Sequence, residues 1–136
     1  MTLTIFKWPV RVYYEDTDAG GVVYHSNYVT FMERARTEWL RQLGFEQDEL
    51  RDKENVLFVV RSVNVKFNQP AKFNDLLDIS VELKNKGKAS LVLIQKIQRH
   101  GEDIVLCEGE VKIATISADA FRPVPTPTTI LETLDI

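Results

Sequence analysis

A single long amphipathic helix is the strongest structural pattern in this chain of 136 residues. Apolar side chains between residues 27 and 43 recur at spacings of three and four, which places them on one helical face: Tyr28, Met32, Ala35, Trp39 and Leu43. Ser26 or Asn27 is expected to cap its start, and Gly44 to end it, because glycine enters the left-handed cap conformation without steric cost. Such a helix must bury its apolar face against another element.

Strand patterns fill most of the remaining sequence. They cover five segments, at residues 2–14, 56–67, 76–83, 89–97 and 104–116. Short connections that contain glycine, at 85–88 and 99–102, predict antiparallel hairpins, since parallel strands need long crossovers. A short polar helix is expected at 47–53, and a capping box at Thr129 is expected to open another. The fold class is therefore α+β, with about five antiparallel strands curled around one central helix in a single domain, 1–136.

Two strand segments carry more specific expectations. In the first, Val10, Val12 and Tyr14 alternate and should share one face of the strand. The segment 89–97 is apolar on both faces, so that neither face should be fully solvated. We therefore expect a second copy of the chain to cover part of the sheet, most simply in a two-fold dimer.

Composition excludes several classes of protein. The net charge of −3 and the pI of about 5.4 argue against a nucleic-acid binder, which usually carries a basic face. The single cysteine, Cys107, cannot form an internal disulfide, and its strand pattern places it in the core. No apolar run approaches the roughly 18 residues of a membrane span, and the first ten residues lack the apolar core of a signal peptide. A cytoplasmic protein is expected.

The stretch from Tyr14 to Tyr28 contains two acids, two adjacent glycines and the helix start. Asp16 and Asp18 begin a segment that resembles a calcium loop, but its twelfth position is Asn27, where a bidentate glutamate is required. The glycines lack the lysine and Ser/Thr of a phosphate-binding P-loop. Calcium is therefore rejected, and a phosphate cradle is only weakly indicated.

Acyl transfer fits this stretch better. Thioester hydrolysis needs a nucleophile or base near the carbonyl carbon and hydrogen-bond donors where the oxyanion forms. An aspartate supplies the first, and free N–H groups between Tyr24 and Asn27, at the positive end of the helix dipole, supply the second. A Ser-His-Asp triad is not indicated, because the G-x-S-x-G elbow is absent. The competing interpretation is that Asp16 and Asp18 only stabilise a turn.

The run from Tyr13 to His25, with Asn27-Tyr28 and the segment 33–38, resembles the signature of the 4-hydroxybenzoyl-CoA thioesterase family of hotdog-fold proteins. It is most similar to the Tol-Pal-associated acyl-CoA thioesterase branch. The resemblance implies a hotdog fold, homodimers or homotetramers with active sites at subunit interfaces, and short-chain or related acyl-CoA substrates. It also implies no metal and no cofactor other than the coenzyme A of the substrate.

The same resemblance implies roles for individual residues. Asp18 matches the family's catalytic carboxylate, and His25 matches the residue whose backbone N–H stabilises the oxyanion; a further role for the imidazole of His25 stays open. Tyr14, Lys88 and Ser90 match substrate-binding positions, although Lys88 and Ser90 equally fit an ordinary solvated turn. Asp16 is expected to support the motif.

The sequence leaves several alternatives open. Asp18 can act as a nucleophile or as a general base, and coenzyme A or acyl carrier protein can deliver the acyl group. An acyl dehydratase is disfavoured because no His-Phe-Pro-like motif occurs. The alternative function is a non-catalytic or dual-role adaptor that binds acyl carriers or envelope-complex proteins.

Overall fold

The computed structural model describes residues 5–134 and contains five strands and three α-helices in that range. In chain order the elements are β1 (Phe6–Arg11), a 3₁₀ turn (Tyr14–Asp16), α1 (His25–Gln42), α2 (Gln47–Glu54), β2 (Val56–Phe67), β3 (Leu76–Lys86), β4 (Ser90–Arg99), β5 (Val105–Ser117) and α3 (Thr128–Leu134). The strands form one antiparallel sheet in the order β1-β3-β4-β5-β2. The predicted α+β class and the two hairpins are confirmed.

The predicted apolar face of α1 forms the centre of the core. Tyr28, Met32, Ala35 and Trp39 are buried, and Leu43 packs partly against them. Beneath this face β5 carries Gly109, where an added Cβ would lie 2.8 Å from Sδ of Met32. The absence of a side chain at Gly109 therefore lets the helix approach the sheet closely.

Cys107 lies in the same core, on β5, and is fully buried. Burial raises the pKa of its thiol to about 12, with a smaller contribution from the charge of Glu108. The thiol is therefore protonated at neutral pH, as expected for a cysteine that contributes packing rather than chemistry.

The beginning of the chain differs from the prediction. β1 ends at Arg11, and residues 2–4 of the predicted strand lie outside the described residues. Tyr14 occupies the 3₁₀ turn and is 76% exposed, so it does not share the buried face of Val12. The cause is local: Oδ2 of Asp16 accepts the N–H of Tyr13 at 2.9 Å, a contact that favours a turn over an extended strand.

Both ends of α1 can be compared with the expected caps. The helix begins at His25, and its cap residue Tyr24 makes no side-chain cap hydrogen bond, so the prediction of Ser26 or Asn27 is wrong. The end is as predicted, because Gly44 adopts a φ of +101°. α3 also exists, but it begins at Thr128, which places Thr129 inside the helix rather than at its cap.

A buried polar pair that was not predicted joins α1 to β4. Gln95 is fully buried on the helix-facing side of β4, and its Oε1 accepts a hydrogen bond from Nη1 of Arg36 at 2.9 Å. Its Nε2 donates to the carbonyl of Met32, also at 2.9 Å. Arg36 is 7% exposed, and burial lowers the pKa of its guanidinium, against a smaller opposing contribution from Glu33. Gln95 therefore solvates a buried cation that has no carboxylate partner among the residues that the structure describes.

The opposite face of β4 is not fully solvated, as predicted. Val92 and Ile94 are half-buried there, whereas Leu91, Leu93 and Ile97 are buried beneath the helix.

In residues 5–134 no helix is long and apolar enough to cross a membrane.

Candidate active site

Asp18 sits at the first position of a tight turn before α1. Its carbonyl accepts the N–H of Gly21 at 3.0 Å, and its own N–H donates to Val22 at 2.9 Å. Gly21 has a φ of +79°, a conformation that glycine adopts without strain. Oδ1 of Asp18 accepts the N–H of Gly20 at 2.8 Å. The turn thus fixes the carboxylate through Oδ1, and Oδ2 has no hydrogen-bond partner within residues 5–134.

Asp16 has a different role from Asp18. Its carboxylate accepts a hydrogen bond from the N–H of Tyr13. Its backbone carbonyl accepts two more, from the N–H of Tyr24 and from Nδ2 of Asn27, and all three distances are 2.9 Å. These contacts tie the 3₁₀ turn to the first turn of α1. Asp16 therefore supports the backbone around the site.

The start of α1 offers fewer free donors than the sequence suggested. The N–H of Tyr24 is taken by Asp16, and that of Asn27 donates to the carbonyl of Tyr24 at 2.9 Å. The N–H groups of His25 and Ser26 have no acceptor in the described part of the chain. Because the first N–H groups of a helix carry its positive partial charge, these two are available to a developing negative charge.

Asp18 and His25 line one cavity of about 310 Å³. Its other walls come from α1, from the loop just before it and from the end of β2 with the loop that follows: Val23, Tyr28, Phe67, Asn68, Gln69 and Pro70. The break at Asn68-Gln69-Pro70 is visible in the sequence as the end of a strand, but nothing in it indicates that it faces Asp18. The structure thus brings together the two residues predicted as catalytic and adds a wall that was not predicted.

Backbone and side-chain contacts hold this wall against α1. Ala71 accepts the N–H of Val23 at 2.8 Å and donates its own N–H to Oη of Tyr28 at 3.0 Å. Nη2 of Arg99 donates to the carbonyl of Pro70 at 2.8 Å, while its Nε donates to Asp75 at 2.9 Å. The hydrogen bond that Arg99 donates to Asp75 raises the pKa of Arg99, so the guanidinium stays charged.

The three predicted substrate-binding residues lie outside the cavity. The ring of Tyr14 stacks on Phe73, with centroids 3.9 Å apart and an interplanar angle of 9°. Lys88 and Ser90 lie at the turn between β3 and β4, whereas the loop beside Asp18 leads into the opposite end of β3. The 11 residues of β3 span roughly 33 Å, so one chain does not bring Lys88 or Ser90 to Asp18.

No group of three or more His, Cys, Asp or Glu side chains placed to hold a metal ion occurs within residues 5–134.

Known proteins resemble this chain over most of its length. A family model of the thioesterase-like superfamily matches residues 12–134. The acyl-CoA thioester hydrolase YbgC of Escherichia coli is 47% identical over 131 residues, covering 96% of both chains. The acyl-CoA thioesterase YbgC of Haemophilus influenzae is 42% identical over 122 residues, covering 90% of this chain and 88% of the relative.

Solved structures give the same result. A probable thioesterase from Bartonella henselae superimposes with a TM-score of 0.85 at 34% identity, covering 91% of this chain and all of the other (100%). BH1999, a gentisyl-coenzyme A thioesterase, superimposes with a TM-score of 0.86 at 27% identity, covering 96% of this chain and 100% of the other. Together with the antiparallel sheet around α1, these matches show that the chain belongs to the thioesterase-like superfamily, has the hotdog fold and is a thioester hydrolase.

Proposed function

We propose that this protein hydrolyses acyl-CoA thioesters to the free acid and coenzyme A. One observation carries the proposal: a carboxylate with an unoccupied oxygen, Asp18, lines the same cavity as His25, whose backbone N–H has no acceptor among the described residues. The YbgC relatives, an acyl-CoA thioester hydrolase and an acyl-CoA thioesterase, support coenzyme A as the acyl carrier.

In the proposed reaction the thioester carbonyl lies at the N-terminus of α1. The N–H groups of His25 and Ser26 stabilise the negative charge that develops on the carbonyl oxygen. Asp18 either removes a proton from the water that attacks the carbonyl carbon, or attacks that carbon itself to form a mixed anhydride that water then hydrolyses. In both cases the C–S bond breaks and coenzyme A leaves as its thiolate. The backbone N–H is the group of His25 that this reaction uses.

A thiol-release assay tests the proposal. The protein should release thiol from at least one member of a panel of short-chain, long-chain and aromatic acyl-CoA esters, with acyl carrier protein thioesters as a second series. Faster release from coenzyme A esters assigns the carrier. If no member of either series is hydrolysed, the acyl-CoA hydrolase proposal fails, and binding of acyl carriers or envelope-complex proteins becomes the better explanation.

We also propose that the working unit is a dimer formed through β2. This strand lies at one end of the strand order, so its outer edge has no partner in the described part of the chain. Its 12 residues include four exposed apolar side chains: Val59, Val60, Val63 and Phe67. A long, apolar edge strand is a surface that normally pairs with another strand.

Two-fold pairing at this edge would complete the cavity. Antiparallel pairing of two β2 strands places the partner's Val56 end beside the Phe67 end, which lines the cavity. The turn that carries Lys88 and Ser90 lies at the Val56 end, because Ala114 of β5 pairs with both Ser90 and Val59. The partner subunit's Lys88 would then approach the cavity, where it can contact coenzyme A phosphates.

The variant Val60→Lys tests this arrangement. Val60 is 48% exposed on β2, so the single chain should tolerate lysine, whereas a dimer would have to bury its charge. In light scattering the unmodified protein should have at least twice the 15.6 kDa mass of one chain. Val60→Lys should shift toward the monomer and lose thiol-release activity.

Trp8→Lys is the matched control, because Trp8 is exposed on β1, at the other edge of the sheet. It should keep both the mass and the activity of the unmodified protein. A monomeric unmodified protein, or a Val60→Lys variant that remains a fully active dimer, would contradict the β2 interface.

A further inference from the structure

Tyr28 is a buried residue with a polar group in the wall of the cavity. It lies one turn into α1 and is only 3% exposed, and its ring meets the edge of Phe67 at a centroid distance of 5.4 Å. Because helical side chains lean toward the N-terminus, the ring lies beside the turn that carries the N–H of His25. The Tyr28 side chain thus belongs to the apolar core and also lines the cavity.

The hydrogen bonds of this hydroxyl are incomplete. Oη of Tyr28 accepts the N–H of Ala71 at 3.0 Å, which uses a lone pair and leaves the hydroxyl proton to be donated. No residue between 5 and 134 accepts that proton. Buried hydroxyl groups usually satisfy their donor as well, so we expect the acceptor to lie in the cavity. Oδ2 of Asp18, which lines the same cavity, also has no hydrogen-bond partner among residues 5–134.

The environment keeps the proton on Tyr28. Burial raises the pKa of the phenol above its ordinary value, against a smaller opposing contribution from the hydrogen bond that the N–H of Ala71 donates. At neutral pH Tyr28 therefore remains a hydrogen-bond donor in the cavity that Asp18 also lines. A water molecule between them can accept from one and donate to the other.

We propose that Tyr28 is a further catalytic residue, whose hydroxyl holds the attacking water against Asp18. The inference rests on the proposed thioesterase function. The water oxygen bonds to the acyl carbon as its proton passes to Asp18; the C–S bond then breaks, and coenzyme A leaves as thiolate. Tyr28 keeps its proton throughout. In this arrangement Asp18 is a general base, and oxygen from labelled water should not enter its carboxylate.

The variant Tyr28→Phe, assayed with hydroxylamine as a competing nucleophile, tests this role. Hydroxylamine does not need the Tyr28 hydrogen bond, so the variant should hydrolyse an acyl-CoA roughly tenfold more slowly while hydroxamate formation changes little. The ratio of hydroxamate to free acid, corrected for the enzyme-free reaction, should therefore rise about tenfold. This ratio does not depend on the fraction of protein that is folded.

Tyr13→Phe is the control, because Tyr13 is exposed and does not line the cavity; its ratio should match that of the unmodified protein. If Tyr28→Phe leaves the ratio unchanged, or slows both products equally, Tyr28 does not position water. Failure of the unmodified protein to release thiol would instead overturn the proposed function itself.

Discussion

Replacing Asp18 by asparagine should lower kcat for acyl-CoA hydrolysis by roughly 10³-fold, the typical contribution of a positioned acid or base. Asparagine keeps the size of the side chain, and its Oδ1 can still accept the N–H of Gly20, so the turn should persist. What it loses is the basic, nucleophilic carboxylate oxygen. KM should change much less than kcat, since Asp18 acts on the reacting atoms rather than on the bound coenzyme A.

Asp16→Asn is the matched control for this experiment. Asp16 accepts the N–H of Tyr13 and does not line the cavity, and asparagine can accept the same hydrogen bond. Its kcat should stay close to that of the unmodified protein. An Asp18→Asn variant that keeps its full rate, or an Asp16→Asn variant that loses as much activity as Asp18→Asn, would show that the catalytic carboxylate is misassigned.

Replacing Gln95 by leucine should have the largest effect on stability. It removes the Oε1 that accepts from Arg36 and leaves a guanidinium buried at 7% exposure without that partner. An unsatisfied buried charge costs about 3 kcal/mol, which should appear as a lower urea midpoint at an unchanged slope. Activity per folded molecule should change little, because Gln95 does not line the cavity.

Two comparisons separate the buried charge from the loss of an amide. Gln98→Leu makes the same chemical change on the same strand, but Gln98 donates to Asp103 near the surface, so its cost should be small. The double variant Gln95→Leu with Arg36→Met removes both partners and should recover most of the lost stability. If the double variant is as unstable as the sum of its single changes, the Arg36–Gln95 contact is not the cause.

The fold was largely predictable because its elements follow from periodicity. The spacing from Tyr28 to Trp39 identified α1, and short glycine-containing turns identified the hairpins. Local hydrogen bonds explain where boundaries were missed: the Asp16–Tyr13 contact turns the chain at Tyr14, where β-branched and aromatic composition predicted a strand. Gln95 was not predictable, because its burial depends on Arg36, 59 residues away.

The candidate site was predictable only in its contiguous part. Asp18 and His25 lie within one short stretch, so a sequence motif can carry both. The wall formed by Phe67 to Pro70 comes from a segment more than forty positions later, and its place beside Asp18 depends on contacts such as Val23 to Ala71. Lys88 and Ser90 were assigned from the family resemblance, and within one chain the length of β3 separates them from Asp18; only the proposed dimer would bring them to the cavity.

The burial of Cys107 has a practical consequence for every experiment that follows product formation by colour. Reagents that detect free coenzyme A react with thiolates, and the protein's single thiol is fully enclosed and has a pKa raised to about 12. The folded enzyme should therefore not react with the thiol reagent used in its own assay. Any slow modification of Cys107 would instead measure the rate at which α1 separates from the sheet and exposes the core.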